Sequence, residues 1–374
     1  MIHRFSDVPI NDIIYREERH DIILTDRQTG LDIYRIVAVS IVFLFHSHIH
    51  IGCDYGILNE FVQMGAIYMT AFFMISGYVL YLGYQKKELL KIKRLKQFYI
   101  KRCISIMPLY YFVALIYILF LGTETYRENL LLAPIEILGV QSVFSSIFSL
   151  THNGGTWFVS CILCCYFIYP FLQEIIKQIS DRAKVVVMGI GIFILLWSPF
   201  IVIKYNAVSI YANPFFRIIE FSIGIMLCAL KDACNKCKLT KYLHSWKIII
   251  LEYLLLVSGV TVAVKLRIGV NDYMLYNWLG LPLFMLLLIG FSRTSISSEK
   301  VGLLIKYLSE ISYAFFMAQF FCFKMTNFII GTLNINVTNI VKILLSLAIC
   351  FVLAILLHEL IEKPSMRILK RLFL

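Results

Sequence analysis

The sequence predicts an all-α polytopic membrane protein of about ten transmembrane helices with both termini cytoplasmic, and three observations predict it. Of 374 residues, 60% are hydrophobic and only 16% charged, with a mean hydropathy of +0.79, too apolar for a water-soluble chain of this length. Apolar runs of the length a bilayer demands, about 20 residues, recur between polar breaks. Lys and Arg concentrate in every second break, as the positive-inside rule requires.

Residues 1–30 carry Asp12, Arg16, Glu17, Glu18, Arg19, Asp21, Asp26 and Arg27, without the charged-then-apolar layout of a signal peptide. This segment is expected to stay attached on the cytoplasmic side. The apolar runs then predict helices at 31–49, 62–82, 103–121, 155–175, 185–203, 213–230, 247–264, 274–291, 303–323 and 338–361. No repeat or low-complexity tract divides them. Residues 31–363 therefore read as one membrane domain, and 364–374 as a cytoplasmic basic tail.

With the N-terminus inside and span-edge residues counted with their loops, inner segments hold 27 Lys and Arg and outer loops 5. One missed helix would move every later loop across the membrane and destroy that bias. The net charge of +12 thus belongs to cytoplasmic loops, and no nucleic-acid partner is expected. The densest loop runs from Lys86 to Arg102; it suits anionic lipid headgroups, and secondarily the phosphates of a cytosolic donor. Most of the ten cysteines, including Cys161, Cys164, Cys165, Cys322 and Cys350, lie in apolar runs and read as packing residues. Cys234 and Cys237 supply only two of the four ligands of a structural zinc, so no metal is expected.

The first span carries the chemistry. Asp32, Arg35 and His46 lie within an apolar helix, and the eleven positions from Arg35 to His46 put both on one face roughly 16 Å apart. An ionisable group at membrane depth costs about 2.5 kcal/mol or more, so such groups face a polar cavity or a partner. Asp32 and Arg35 could equally form an interfacial pair, and His46 could touch headgroups. As chemistry, His46 is the general base of this stripe, because neutral imidazole accepts a hydroxyl proton near physiological pH.

Further motifs follow in order. Leu31 to His46, with its arginine and histidine separated by ten residues, resembles the first-helix signature of acyltransferase family 3, the bacterial membrane O-acyltransferases. Phe72-Phe73-Met74-Ile75-Ser76-Gly77-Tyr78 resembles that family's second-helix motif, and Lys101-Arg102 through Pro108-Leu109-Tyr110 its basic entry to the third. Thr156 to Ser160 resembles its tryptophan motif, Arg217 to Gly224 the next, and Ile311-Ser312-Tyr313 and Ile361-Glu362-Lys363-Pro364 the last two. Seven motifs in order over nearly the whole chain carry a specificity that no single one has. Ser105 stands where the family often has arginine, and Gln319 where it often has histidine.

Several of these residues also have ordinary readings. Ser76-Gly77 permits close helix approach, Trp157 suits an aromatic belt, and Glu362-Lys363 suits a structural end-cap at the cytoplasmic rim. Glu220 needs a partner at its depth, and Arg217 is within one turn.

The resemblance implies transfer of an acyl group, most often acetyl, from cytosolic acyl-CoA to a hydroxyl of an envelope or extracellular polysaccharide or a lipid-linked sugar. Acyl-CoA is then a donor substrate, with no bound cofactor, and the setting is a bacterial cytoplasmic membrane. His46 and Arg35 are the expected catalytic residues, with His46 as base or acyl carrier. Asp32, Ser76, Trp157, Glu220, Ser312 and Tyr313 are the expected supporting residues, and Lys101 and Arg102 the donor-binding ones. The outer segment Gly122 to Gly155, with Glu124, Glu128, His152 and Asn153, is long enough to shape an acceptor site. The rival reading is a transporter or flippase of glycan precursors, which ten spans with buried charges would also suit.

Overall fold

A computed structural model describes residues 28–120, 125–144, 155–205, 210–236, 242–266, 276–333 and 337–374. Among them the regular structure is entirely helical. Helix α1 (Thr29–Ile51) is followed by α2 (Tyr68–Tyr84), α3 (Ile92–Phe120), α4 (Tyr126–Leu138), α5 (Trp157–Gln178), α6 (Asp181–Tyr205), α7 (Pro214–Ala229) and α8 (Trp246–Lys265). Then come α9 (Leu281–Phe291), α10 (Glu299–Glu310), α11 (Ser312–Leu333), α12 (Asn339–Leu356) and α13 (Lys363–Phe373). Two π-helical segments, Tyr276–Gly280 and Leu357–Glu362, lead into α9 and α13.

Eight described helices are long and apolar enough to cross a bilayer. The other two expected spans are shorter. Helix α7 starts where Asn213 accepts from the Phe215 N–H and Pro214 fixes the first turn. It is buried along most of its length, so protein rather than lipid surrounds it.

The expected span 303–323 is corrected. Residues 299–310 form the separate helix α10, and the apolar helix α11 begins at Ser312, after a break at Ile311. Lys306 and Glu310 stay with α10 rather than entering the span, and Ser312 Oγ donates to the Ser309 carbonyl across the break (2.7 Å). Lys324, expected in an outer loop, instead lies inside α11 with its ammonium over the Tyr117 and Phe320 rings. The basic stretch 86–102 is helical from Ile92 onward. Helix α3 is therefore about 43 Å long, and its Lys- and Arg-bearing first turns extend beyond a hydrocarbon core of about 30 Å.

Small residues set the tightest helix contact. A Cβ on Gly77 would lie 2.0 Å from the Phe221 carbonyl oxygen, and one on Gly224 1.9 Å from that of Met74. The reading of Ser76-Gly77 as a close-approach motif holds, with α7 as the partner of α2. Cys161, Cys165, Cys322 and Cys350 are buried among the helices, as packing residues should be. Cys237 lies outside the described residues, as do Glu124, His152 and Asn153.

Candidate active site

Helices α1, α2, α3, α5, α10 and α11, with the π-helical turn before α13, enclose a cavity of about 250 Å³. Arg35, Ser76, Ser312 and Tyr313 line it, joined by Ser309, Glu310 and Glu362. Arg35 donates through Nη1 to Ser309 Oγ (3.1 Å), and Ser309 Oγ donates to Asp32 Oδ1 (2.6 Å). The i, i+3 pair on α1 is thereby bridged by a hydroxyl from α10, 277 positions away in sequence for Asp32. Asp32 and Ser309 are buried and Arg35 half-buried, so one cation is presented to the cavity. Tyr313 Oη donates to the Ile106 carbonyl (3.1 Å), tying α11 to α3.

Glu362, expected as a structural end-cap at the cytoplasmic rim, is buried, accepts from His358 Nδ1 (2.8 Å) and lines the cavity. The π-helical turn accounts for this, because its extra residue re-aims the side chains that follow it. Arg102 stands beside the cavity rather than in it. Its guanidinium lies over the ring of Tyr166, a lining residue, and Nη2 donates to Tyr84 Oη (3.4 Å). Lys101 is exposed on α3, and the cavity wall is built without it.

His46 does not line this cavity. It lies further along α1, half-buried, with Nδ1 2.7 Å from Gln319 Oε1 on α11. A carboxamide oxygen only accepts, so Nδ1 carries the proton and Nε2 presents its lone pair. The two regions are joined along α11. Ser312 and Phe316 line the cavity, and Gln319 follows on the same face one turn beyond Phe316.

Glu220 and Trp157 belong to a separate cluster. Arg217 Nη1 lies 2.6 Å from Glu220 Oε2, with both side chains buried, confirming the partner expected one turn away. Thr70 Oγ1 donates to Glu220 Oε1 (2.8 Å), and Arg217 Nε donates to the Tyr211 carbonyl (2.8 Å). Phe73, Trp157 and Tyr211 surround the guanidinium at 5.2–5.5 Å. Trp157 is thus buried against a cation, and the aromatic-belt reading fails. The outer segment closes on this cluster: Ser142 Oγ donates to the Trp157 carbonyl (3.0 Å), and Gln141 Nε2 to that of Thr156 (2.9 Å).

The family model of the acyltransferase domain Acyl_transf_3 matches residues 28–359. The chain belongs to this acyltransferase family. No characterised protein and no solved structure matches it. Membership makes the protein a membrane acyltransferase. In the acyltransferase, sequence reasoning missed Ser309, Glu362 and Gln319 as site residues. The signal for Gln319 was present as the departure from histidine; Ser309 had none, being an ordinary serine beside a motif.

Proposed function

We propose that the protein transfers a short acyl group, most simply acetyl, from cytosolic acyl-CoA to a hydroxyl of a cell-envelope or extracellular polysaccharide or a lipid-linked sugar. The carrying observation is that one face of α11 borders the Arg35 cavity through Ser312 and Phe316 and then meets His46 through Gln319. A cavity of about 250 Å³ lies below the roughly 300–1,000 Å³ of pockets that hold drug-sized ligands. It suits an acyl thioester end rather than a nucleotide. The phosphates of the donor would remain toward the basic residues at the cytoplasmic end, with Arg102 nearest the cavity.

In this reading, Arg35 donates hydrogen bonds to the thioester arm of the donor, and His46 Nε2 takes the acceptor hydroxyl's proton or briefly carries the acyl group. The bacterial cytoplasmic membrane is the setting. Membranes bearing the protein should turn over acetyl-CoA repeatedly, releasing CoA, only when an acceptor glycan is supplied. Mass spectrometry of envelope polysaccharide from cells with and without the gene should show a difference equal to one acyl group. A His46→Ala protein with undiminished transfer would overturn the reading.

A further inference from the structure

The amide of Gln319 has two ends, and only one is occupied. Its Oε1 faces His46 Nδ1 at 2.7 Å, while its Nε2 is buried and makes no hydrogen bond among the described residues. Gln319 is 2% exposed. A buried donor left without a partner is costly, and such groups persist where strain or catalysis gives a reason. Here the free N–H₂ adjoins the His46 imidazole, on the helix that runs from the donor cavity. The rings around His46 are Phe45 and His50, with centroids at 5.2 and 5.8 Å, so the contact at Nδ1 is with a neutral amide.

Resting on the acyl-transfer reading, we propose that the Gln319 carboxamide serves both the base and the developing charge. Its Oε1 fixes His46 as the Nδ1–H tautomer, and its Nε2–H₂ donates to the oxyanion of the tetrahedral intermediate. The acceptor hydroxyl oxygen bonds to the thioester carbon while its proton moves to His46 Nε2. The carbonyl π pair moves onto oxygen, where Gln319 Nε2–H holds it. On collapse the C–S bond breaks, and the departing CoA thiolate takes the proton from the His46 imidazolium. The products are the ester and CoA thiol. If His46 carries the acyl group first, the same oxyanion forms and the same donor meets it.

Gln319→Glu and Gln319→Leu separate the two ends of the amide. Glutamate keeps an acceptor for Nδ1–H at the same reach and removes the N–H₂; leucine removes both. Steady-state CoA release from acetyl-CoA with acceptor glycan, in proteoliposomes, gives kcat and KM for each. Gln319→Glu should lose about 10²–10³ in kcat, the usual effect of deleting one oxyanion donor. Gln319→Leu should lose more, with KM for acetyl-CoA unchanged within about threefold in both. A ¹⁵N spectrum of histidine-labelled protein, with the His46 signal assigned by its loss in His46→Ala, should show an unprotonated Nε2 in the wild type and in Gln319→Glu. If Gln319→Leu fails to fold, the near-isosteric glutamate variant decides alone. Wild-type kcat in Gln319→Glu, or a protonated Nε2 in the wild type, overturns the proposal. Wild-type protein that releases no CoA overturns the acyl-transfer reading, and this proposal with it.

Discussion

At the residue scale, three side chains divide the work, and substitution should separate them. His46→Ala removes the imidazole held by Gln319, and kcat should fall about 10²–10⁴-fold, with acetyl-CoA binding, read by isothermal calorimetry, little changed. Arg35→Ala removes the cation presented to the cavity, so the same calorimetry should register weakened donor binding. An unchanged Kd would rule out donor contact. Ser309→Ala breaks the hydroxyl bridge between Arg35 and Asp32 and should cost about tenfold in kcat/KM, the worth of one charge-assisted hydrogen bond. Arg35 and His46 were legible because an ionisable group in an apolar helix stands out against its neighbours. Ser309 was not, since what makes it matter is a contact 274 positions away, which periodicity cannot reveal.

At the element scale, the α2–α7 contact shows how a buried ion pair and two glycines depend on one another. Backbone approach at Gly77 and Gly224 brings Thr70 of α2 onto the Arg217–Glu220 pair of α7. A methyl group at either glycine would meet a backbone carbonyl at about 2 Å, which no rotamer change relieves. Gly77→Ala and Gly224→Ala should each destabilise the protein by at least the roughly 1–3 kcal/mol of an overpacked core, read as a lower melting temperature in detergent. Gly331→Ala, where a Cβ meets nothing within 4 Å, should be silent. The Ser-Gly motif announced this contact in the sequence, because small residues have few other uses inside a membrane helix. The α10–α11 boundary was hidden, because no Gly or Pro marks it and a hydrogen bond from Ser312 to the Ser309 carbonyl spans the break at Ile311.

At the scale of the whole molecule, the fold bears on sidedness without any reference to lipid. The breaks that the charge count places inside meet at one end of the bundle. Gly30 N–H donates to the Thr294 carbonyl, Lys177 reaches the Lys87 carbonyl, and Gln28, Lys87 and Lys231 border one pocket. The breaks placed outside meet at the other end, where Asp54 pairs with Asn339, Lys342 donates to the Ile51 carbonyl and Lys265 approaches Glu60. The correction at α10 leaves this partition intact. Twelve residues of α10 reach only about 18 Å, too short to cross about 30 Å of hydrocarbon. One crossing therefore still separates Phe291 from Asn339, and every later segment keeps its side. Alkaline phosphatase inserted after Asp54 should then be active, and after Ser180 or Ser297 inactive, while green fluorescent protein fused after Leu374 should fluoresce. Phosphatase activity at both Asp54 and Ser297 would mean that an even number of crossings lies between them. That result would detach the Arg35 end of the stripe from the cytosol and remove the physical basis for a cytosolic donor.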